Sequence, residues 1–142
     1  MRNIQNIAVV FAGIFVYCEG TISSRCLRCI CEVESGCKAI GCNWDVNSES
    51  CGYYQIKQNY WIDCKRPGSS LSWCGDNSTC STNCVKNYMS RYIKSNGCTA
   101  NCESYARMHN GGPKACDPNH YMHGRTNNYW RKVQAKGCNS SS

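Results

Sequence analysis

The sequence contains no apolar stretch long enough to cross a bilayer. Its longest, Ile7 to Tyr17 (IAVVFAGIFVY), is closed off by Glu19, whereas a spanning helix needs about 18 or more consecutive apolar residues, which argues against a membrane anchor. It also lacks an arginine-rich helix, a ribonucleoprotein motif and zinc-finger spacing. Its basic residues are scattered, so they do not describe a nucleic-acid surface. Internal repeats, low-complexity tracts and an interdomain linker are missing too, which leaves room for one compact domain. Acidic residues are few, 9 Asp and Glu against 16 Lys and Arg, for a formal net charge of +7. A small chain with that excess favours anionic polymers or bacterial surfaces as partners.

The N-terminus has the pattern of an export signal. Arg2 supplies a small basic region, Ile7 to Tyr17 has the length of a hydrophobic segment, and Cys18-Glu19-Gly20 offers small residues at a cleavage site. Residues 1–20 therefore read as a secretory signal peptide and 21–142 as a single mature domain, secreted and extracellular. Cleavage removes Arg2 and Glu19 together, so 15 cationic residues remain against 8 acidic ones. It also removes Cys18, and the remaining 14 of 15 cysteines can pair as seven disulfides in an oxidising compartment. The spacing Cys26-x-x-Cys29 also suits a zinc site, but export and an even count favour disulfides. His120-x-x-His123 has no third ligand in evidence and reads as a polar loop. No metal or other cofactor is expected. Connectivity stays open, except that neighbours such as Cys29 and Cys31 are not expected to pair.

Periodicity predicts an α+β fold, mostly helical, with one small antiparallel sheet. Ser23 or Ser24 caps a first helix running to about Ser35, with Leu27, Ile30, Cys31 and Glu34 along one stripe and Gly36 as its stop. Glu32 points to a different side and reads as a solvated charge. Between Gly41 and Gln58 the period changes to two. Trp44 and Val46 fall on one face of a strand and Asn43 and Asp45 on the other. Asn47 to Ser50 supplies a turn, and Gly52 to Ile56 is the returning strand. Pro67 to Ser70 opens a surface loop. Further helices are predicted over Cys84 to Ile93, Thr99 to His109, and from Thr126 through Val133.

Eleven residues separate Glu34 from Asp45, and six cysteines between Cys26 and Cys51 clamp the chain that carries both. A glutamic acid at the edge of a buried stripe loses hydration when charged, so its pKa is expected to rise and it can act as a general acid. An aspartate on a polar strand face stays ionised. Glycoside cleavage uses that asymmetry, one carboxyl protonating the leaving oxygen while the other attacks or stabilises the cationic carbon. The plainer alternative pairs Glu34 with Lys38 and leaves Asp45 as a turn-side acceptor.

Residues 26 to 42 (CLRCICEVESGCKAIGC), 51 to 64 (CGYYQIKQNYWIDC), 84 to 92 (CVKNYMSRY) and 105 to 113 (YARMHNGGP) resemble the invertebrate-type lysozymes, the family that includes destabilase. The likeness runs from Cys26 to Cys138 and implies a lysozyme-like, disulfide-rich fold. It also implies a muramidase acting on the β-1,4 bond between N-acetylmuramic acid and N-acetylglucosamine in peptidoglycan, for antibacterial defence or digestion, as a monomer or weak homodimer. The family's proton donor, in the Cys-x-x-Glu-Ser setting, falls on Glu34, and its second carboxylate falls on Asp45. Lys57, Tyr60, Trp61, Tyr88, His109, Asn110 and Gly111 lie in the strings that resemble its saccharide cleft. Some members are described as isopeptidases that cut ε-(γ-Glu)-Lys bonds, and the proposed serine and lysine correspond to Ser48 and Lys57. Here the turn departs from the family's frequent Gly-Ser-Leu-Ser form, because Glu49 adds a negative charge, and Trp44 stands where methionine is common. A cationic wall-binding protein without enzymatic activity is the competing class.

Overall fold

The structure, a computed structural model, describes residues 21–142; the expected signal peptide lies outside the described residues. The fold is α+β as expected. Helix α1, Ser24–Ser35, begins where the Ser23 hydroxyl accepts from the Cys26 amide at 3.0 Å. It ends at Gly36, whose φ of +68° lets its amide reach the Glu32 carbonyl. Its inner face buries Cys26, Leu27, Cys29, Ile30 and Cys31.

Strands β1, Cys42–Asp45, and β2, Ser48–Cys51, form an antiparallel hairpin, and β3, Ile56–Lys57, adds to the other edge of β2. The hairpin differs from the sequence expectation. Its turn is Val46-Asn47 rather than Asn47 to Ser50, with φ of +40° and +67° at the two residues, the signature of a two-residue hairpin loop. The Cys42–Cys51 disulfide joins a directly opposed pair, so Asp45 faces Ser48 and only two residues remain for the turn. Gly52–Tyr54, expected as strand, is a 3₁₀ turn. Gly52 has φ +73° and passes so close to Gly75 that a Cβ on it would lie 1.7 Å from that carbonyl oxygen. Trp44 and Val46 do not pack against a core; they are 75% and 80% exposed.

The remaining helices are α2, Gln58–Asp63; α3, Leu71–Asp76; α4, Ser78–Ser95; α5, Cys102–Gly111; α6, Tyr121–Arg125; and α7, Asn127–Ala135. Side-chain caps set several starts. Ser70 accepts from Trp73, Asn77 from Cys80, and Asn101 from Ser104. Asn77 therefore starts α4 well before Cys84, and Asn101 delays α5 beyond Thr99. The segment holding His120 and His123 is not a loop, because His120 caps the short helix α6 that contains His123.

The core lies where α1, α4, α5 and α7 meet under the 3₁₀ turn, around Ile30, Tyr54, Ile56, Val85, Met89, Met108 and Val133. Each such apolar side chain contributes about 1.5–3 kcal/mol when fully buried. All fourteen cysteines from Cys26 to Cys138 are paired: 26–102, 29–138, 31–37, 42–51, 64–84, 74–80 and 98–116. Two of these bonds tie α1 to distant chain, one to the first residue of α5 and one to the segment after α7.

Candidate active site

The last turn of α1 and the free end of the hairpin face one cavity of about 330 Å³. Glu34 enters from α1 with its side chain 20% exposed. Its Oε1 accepts a hydrogen bond from the Tyr129 hydroxyl on α7 at 2.8 Å, and His109 Nε2 stands 3.5 Å from the same oxygen. Burial, with the Glu34 charge behind it, pushes the Tyr129 phenol well above its usual range. Tyr129 therefore keeps its proton and donates.

His109 sits in the last turn of α5 with its side chain 3% exposed. Its Nε2 lies 2.9 Å from the Tyr54 carbonyl, which can only accept, so Nε2 carries a hydrogen. In the uncharged ring Nδ1 then accepts from the Tyr60 hydroxyl at 3.1 Å. Burial raises the Tyr60 phenol well above its usual range, with smaller contributions from Tyr88 and Glu34, so it too remains a donor. The Tyr60 ring stacks on Tyr88 with centroids 3.7 Å apart. The result is a rigid aromatic wall behind Glu34.

Asp45 comes from the opposite side and is far wetter, with its side chain 58% exposed. Cross-strand register puts Asn43, Ser50 and Lys57 on one row and pairs Asp45 with Ser48. Lys57 Nζ reaches across that face to the Asp45 backbone carbonyl at 2.8 Å, Ser48 Oγ at 2.8 Å and Asp45 Oδ2 at 3.5 Å. Two hydrogen bonds and an ion pair from one ammonium group thus hold the end of the hairpin and the aspartate on it.

Of the residues singled out in the sequence, Glu34, Asp45, Lys57, Tyr60, Tyr88, His109 and Asn110 line the cavity, and Ser48 touches it through Lys57. Trp61 and Gly111 do not. Trp61 turns away, donating from its indole to the Pro67 carbonyl at 2.9 Å and packing on the core. Gly111 lies against α7's cap, where an added Cβ would meet Thr126 at 2.5 Å and Ala115 at 2.9 Å. Sequence reasoning missed Ser50, Gln55, Asn59, Asp63, Gly112 and Pro113 in the lining, and Tyr129 behind it. Asp63 follows Tyr60 by one turn of α2. Its backbone carbonyl accepts from Arg91 at 3.0 Å and its carboxylate lies 3.9 Å from the same guanidinium. Ser50 is the buried side chain whose hydroxyl has no hydrogen-bond partner among the described residues, although it is only 2% exposed. No group of three or more metal-binding side chains occurs among the described residues.

The sequence profile of the Destabilase family matches residues 23–136. The lysozyme of Magallana gigas is 56% identical over 142 residues, all of both chains. The invertebrate-type lysozyme of Ruditapes philippinarum is 48% identical over 124 residues, 86% of this chain and 88% of that one. Among solved structures, the inhibitor-bound lysozyme from Meretrix lusoria superposes with a TM-score of 0.78 at 52% identity, covering 87% of this chain and 98% of that one. Sequence likeness over nearly the whole described domain, together with a shared fold, means that the chain belongs to the Destabilase family of invertebrate-type lysozymes and is a glycoside hydrolase.

Proposed function

We propose that the chain is a secreted muramidase that hydrolyses the β-1,4 bond between N-acetylmuramic acid and N-acetylglucosamine in bacterial peptidoglycan, with residues 1–20 as its export signal. Glu34 is the proton donor. Asp45 is the carboxylate that attacks or stabilises the cationic sugar carbon. The observation that carries this reading is the contrast between two carboxyl groups on one cavity, Glu34 enclosed by Tyr129 and His109, and Asp45 open to water. Glycoside cleavage uses one carboxyl to deliver a proton to the leaving oxygen and a second beside the cationic carbon, and the two line opposite sides of this cavity. Tyr129 and His109 position Glu34; Lys57 positions Asp45. Tyr60, Tyr88 and Asn110 offer ring faces and polar groups to the sugars. Trp61 and Gly111 act by packing.

Isopeptide cleavage draws less support. Ser48 and Lys57 are within 2.8 Å, but a lysine that activates a serine must be able to accept its proton. The Lys57 nitrogen donates to two oxygens, Ser48 Oγ among them, and stands 3.5 Å from the Asp45 carboxylate. Purified mature protein is therefore expected to give new reducing ends on peptidoglycan that are muramic acid, detected as muramicitol after borohydride reduction. It is expected to release no lysine from an ε-(γ-Glu)-Lys substrate. Glucosaminitol as the product, or lysine release that disappears in Ser48→Ala, contradicts the reading.

The Ser50 hydroxyl is buried and has no hydrogen-bond partner among the described residues, so it is not open to a sugar. Leaving a buried hydroxyl without a partner costs about 1–3 kcal/mol. Ser50→Ala is expected to leave Tm unchanged or higher, with kcat/KM on peptidoglycan close to wild type. Steady-state kinetics beside a thermal melt check this. A variant that loses stability would show that the hydroxyl serves the fold.

A further inference from the structure

Past Pro113 the wall of the Glu34–Asp45 cavity continues into a second groove of about 460 Å³, and Pro113 borders both. Charge changes sign at that point. Glu34, Asp45 and Asp63 outnumber the one cation, Lys57, in the lining of the first cavity, whereas the second has no Asp or Glu in its lining and carries Lys114. The rest of the second groove is largely apolar, with Tyr92, Tyr121 and Met122 in its walls. Tyr121 is 68% exposed yet held in place, its ring 4.6 Å from that of His120 and 5.2 Å from the Arg125 guanidinium. Lys114 and Arg125 are exposed. None of the ion pairs among the described residues involves Lys114, His120 or Arg125.

We propose that this groove takes the acidic peptide stem carried by the N-acetylmuramic acid units, while the glycan strand occupies the cavity between Glu34 and Asp45. The inference rests on the muramidase reading. A stem peptide combines small alkyl side chains with free carboxylates, and the groove combines an apolar floor with one cation unpaired among the described residues, Lys114, in its lining and a second, Arg125, beside Tyr121. The glycan cavity carries acidic side chains partly balanced by one cation, Lys57, and the second groove carries no acidic side chain, so an acidic branch is better accommodated in the second. Pro113 is where that branch meets a surface of favourable sign.

The test compares two substrates: intact peptidoglycan, and the same glycan strands stripped of stems by an N-acetylmuramoyl-L-alanine amidase. Wild-type protein is expected to cleave the stem-bearing polymer with about tenfold higher kcat/KM, equivalent to about 1.4 kcal/mol of added contact. Lys114→Glu and Tyr121→Ala, both changes of exposed side chains, are expected to bring the ratio between the two substrates toward one. A second measurement needs no turnover. Titration of Glu34→Gln protein with the free stem peptide should show salt-sensitive binding that Lys114→Glu weakens. A wild-type ratio of one, or variants that keep the wild-type ratio, overturns the stem groove while leaving the muramidase reading intact. Failure of wild-type protein to cut either polymer overturns the muramidase reading, and the stem groove with it.

Discussion

Glu34→Gln is expected to slow clearing of a peptidoglycan suspension by at least about 10²- to 10⁴-fold, the usual contribution of a general acid. Glutamine matches the shape of the side chain, and its carbonyl oxygen can still accept from Tyr129, which now bonds Glu34 at 2.8 Å. What it cannot do is release a proton to a leaving oxygen. The loss should therefore be in kcat, with the melting curve and sedimentation of the protein with insoluble peptidoglycan close to wild type. Asp45→Asn should act in the same direction, since it removes the negative charge while keeping an acceptor for Lys57. The measurement that separates this from killing by charge alone is bacterial survival. If both variants kill as well as the wild type does, the +7 chain acts as a cationic wall binder and the carboxylates are incidental.

Arg107→Met is expected to have the largest effect on stability. Arg107 is 5% exposed and all three of its guanidinium nitrogens donate. Nε and Nη2 donate to Glu103 at 3.0 and 2.9 Å, and Nη1 donates to the His123 carbonyl, Thr126 Oγ1 and Asn127 Oδ1 at 2.7, 3.1 and 2.8 Å. One side chain thus fastens the end of α6 and the start of α7 to α5. Methionine fills the volume but leaves buried acceptors and a carboxylate without their donor. Breaking a buried pair of this kind costs about 3–5 kcal/mol, and the partial exposure of Glu103 places it toward the lower figure. A fall in Tm of about 10 °C under non-reducing conditions is expected. Arg107→Lys should recover only part of it, because a compact ammonium cannot reach the Glu103 carboxylate and the His123, Thr126 and Asn127 acceptors together. An Arg107→Met protein that melts with the wild type would show that the network contributes nothing net. Tyr129 follows Asn127 by two residues, so the same lesion also loosens the donor to Glu34.

How far the fold was legible depended on how local its causes are. Helix α1 was readable end to end because a serine cap, an apolar stripe and a glycine stop all lie within it. The hairpin was misread because its register is set by a disulfide, and pairing cannot be deduced from spacing. Helices α2, α3 and α6 were missed because five or six residues are too few to display a helical period. The cavity divides in the same way. Residues on contiguous strings, such as Glu34, Tyr60 and His109, could be found from the chain. Tyr129 is 95 positions from Glu34 and meets it only through packing, while Ser50 stands out only by lacking a partner in a buried place.

The Cys29–Cys138 bond closes residues 29 to 138 into a covalent ring, and the other cross-links subdivide that ring. A protease that hydrolyses any single peptide bond inside the ring opens it without freeing a piece. The nicked molecule keeps its mass, plus one water, until a reductant arrives. For a protein proposed to be secreted, damage of this kind is held within one molecule rather than shed as fragments.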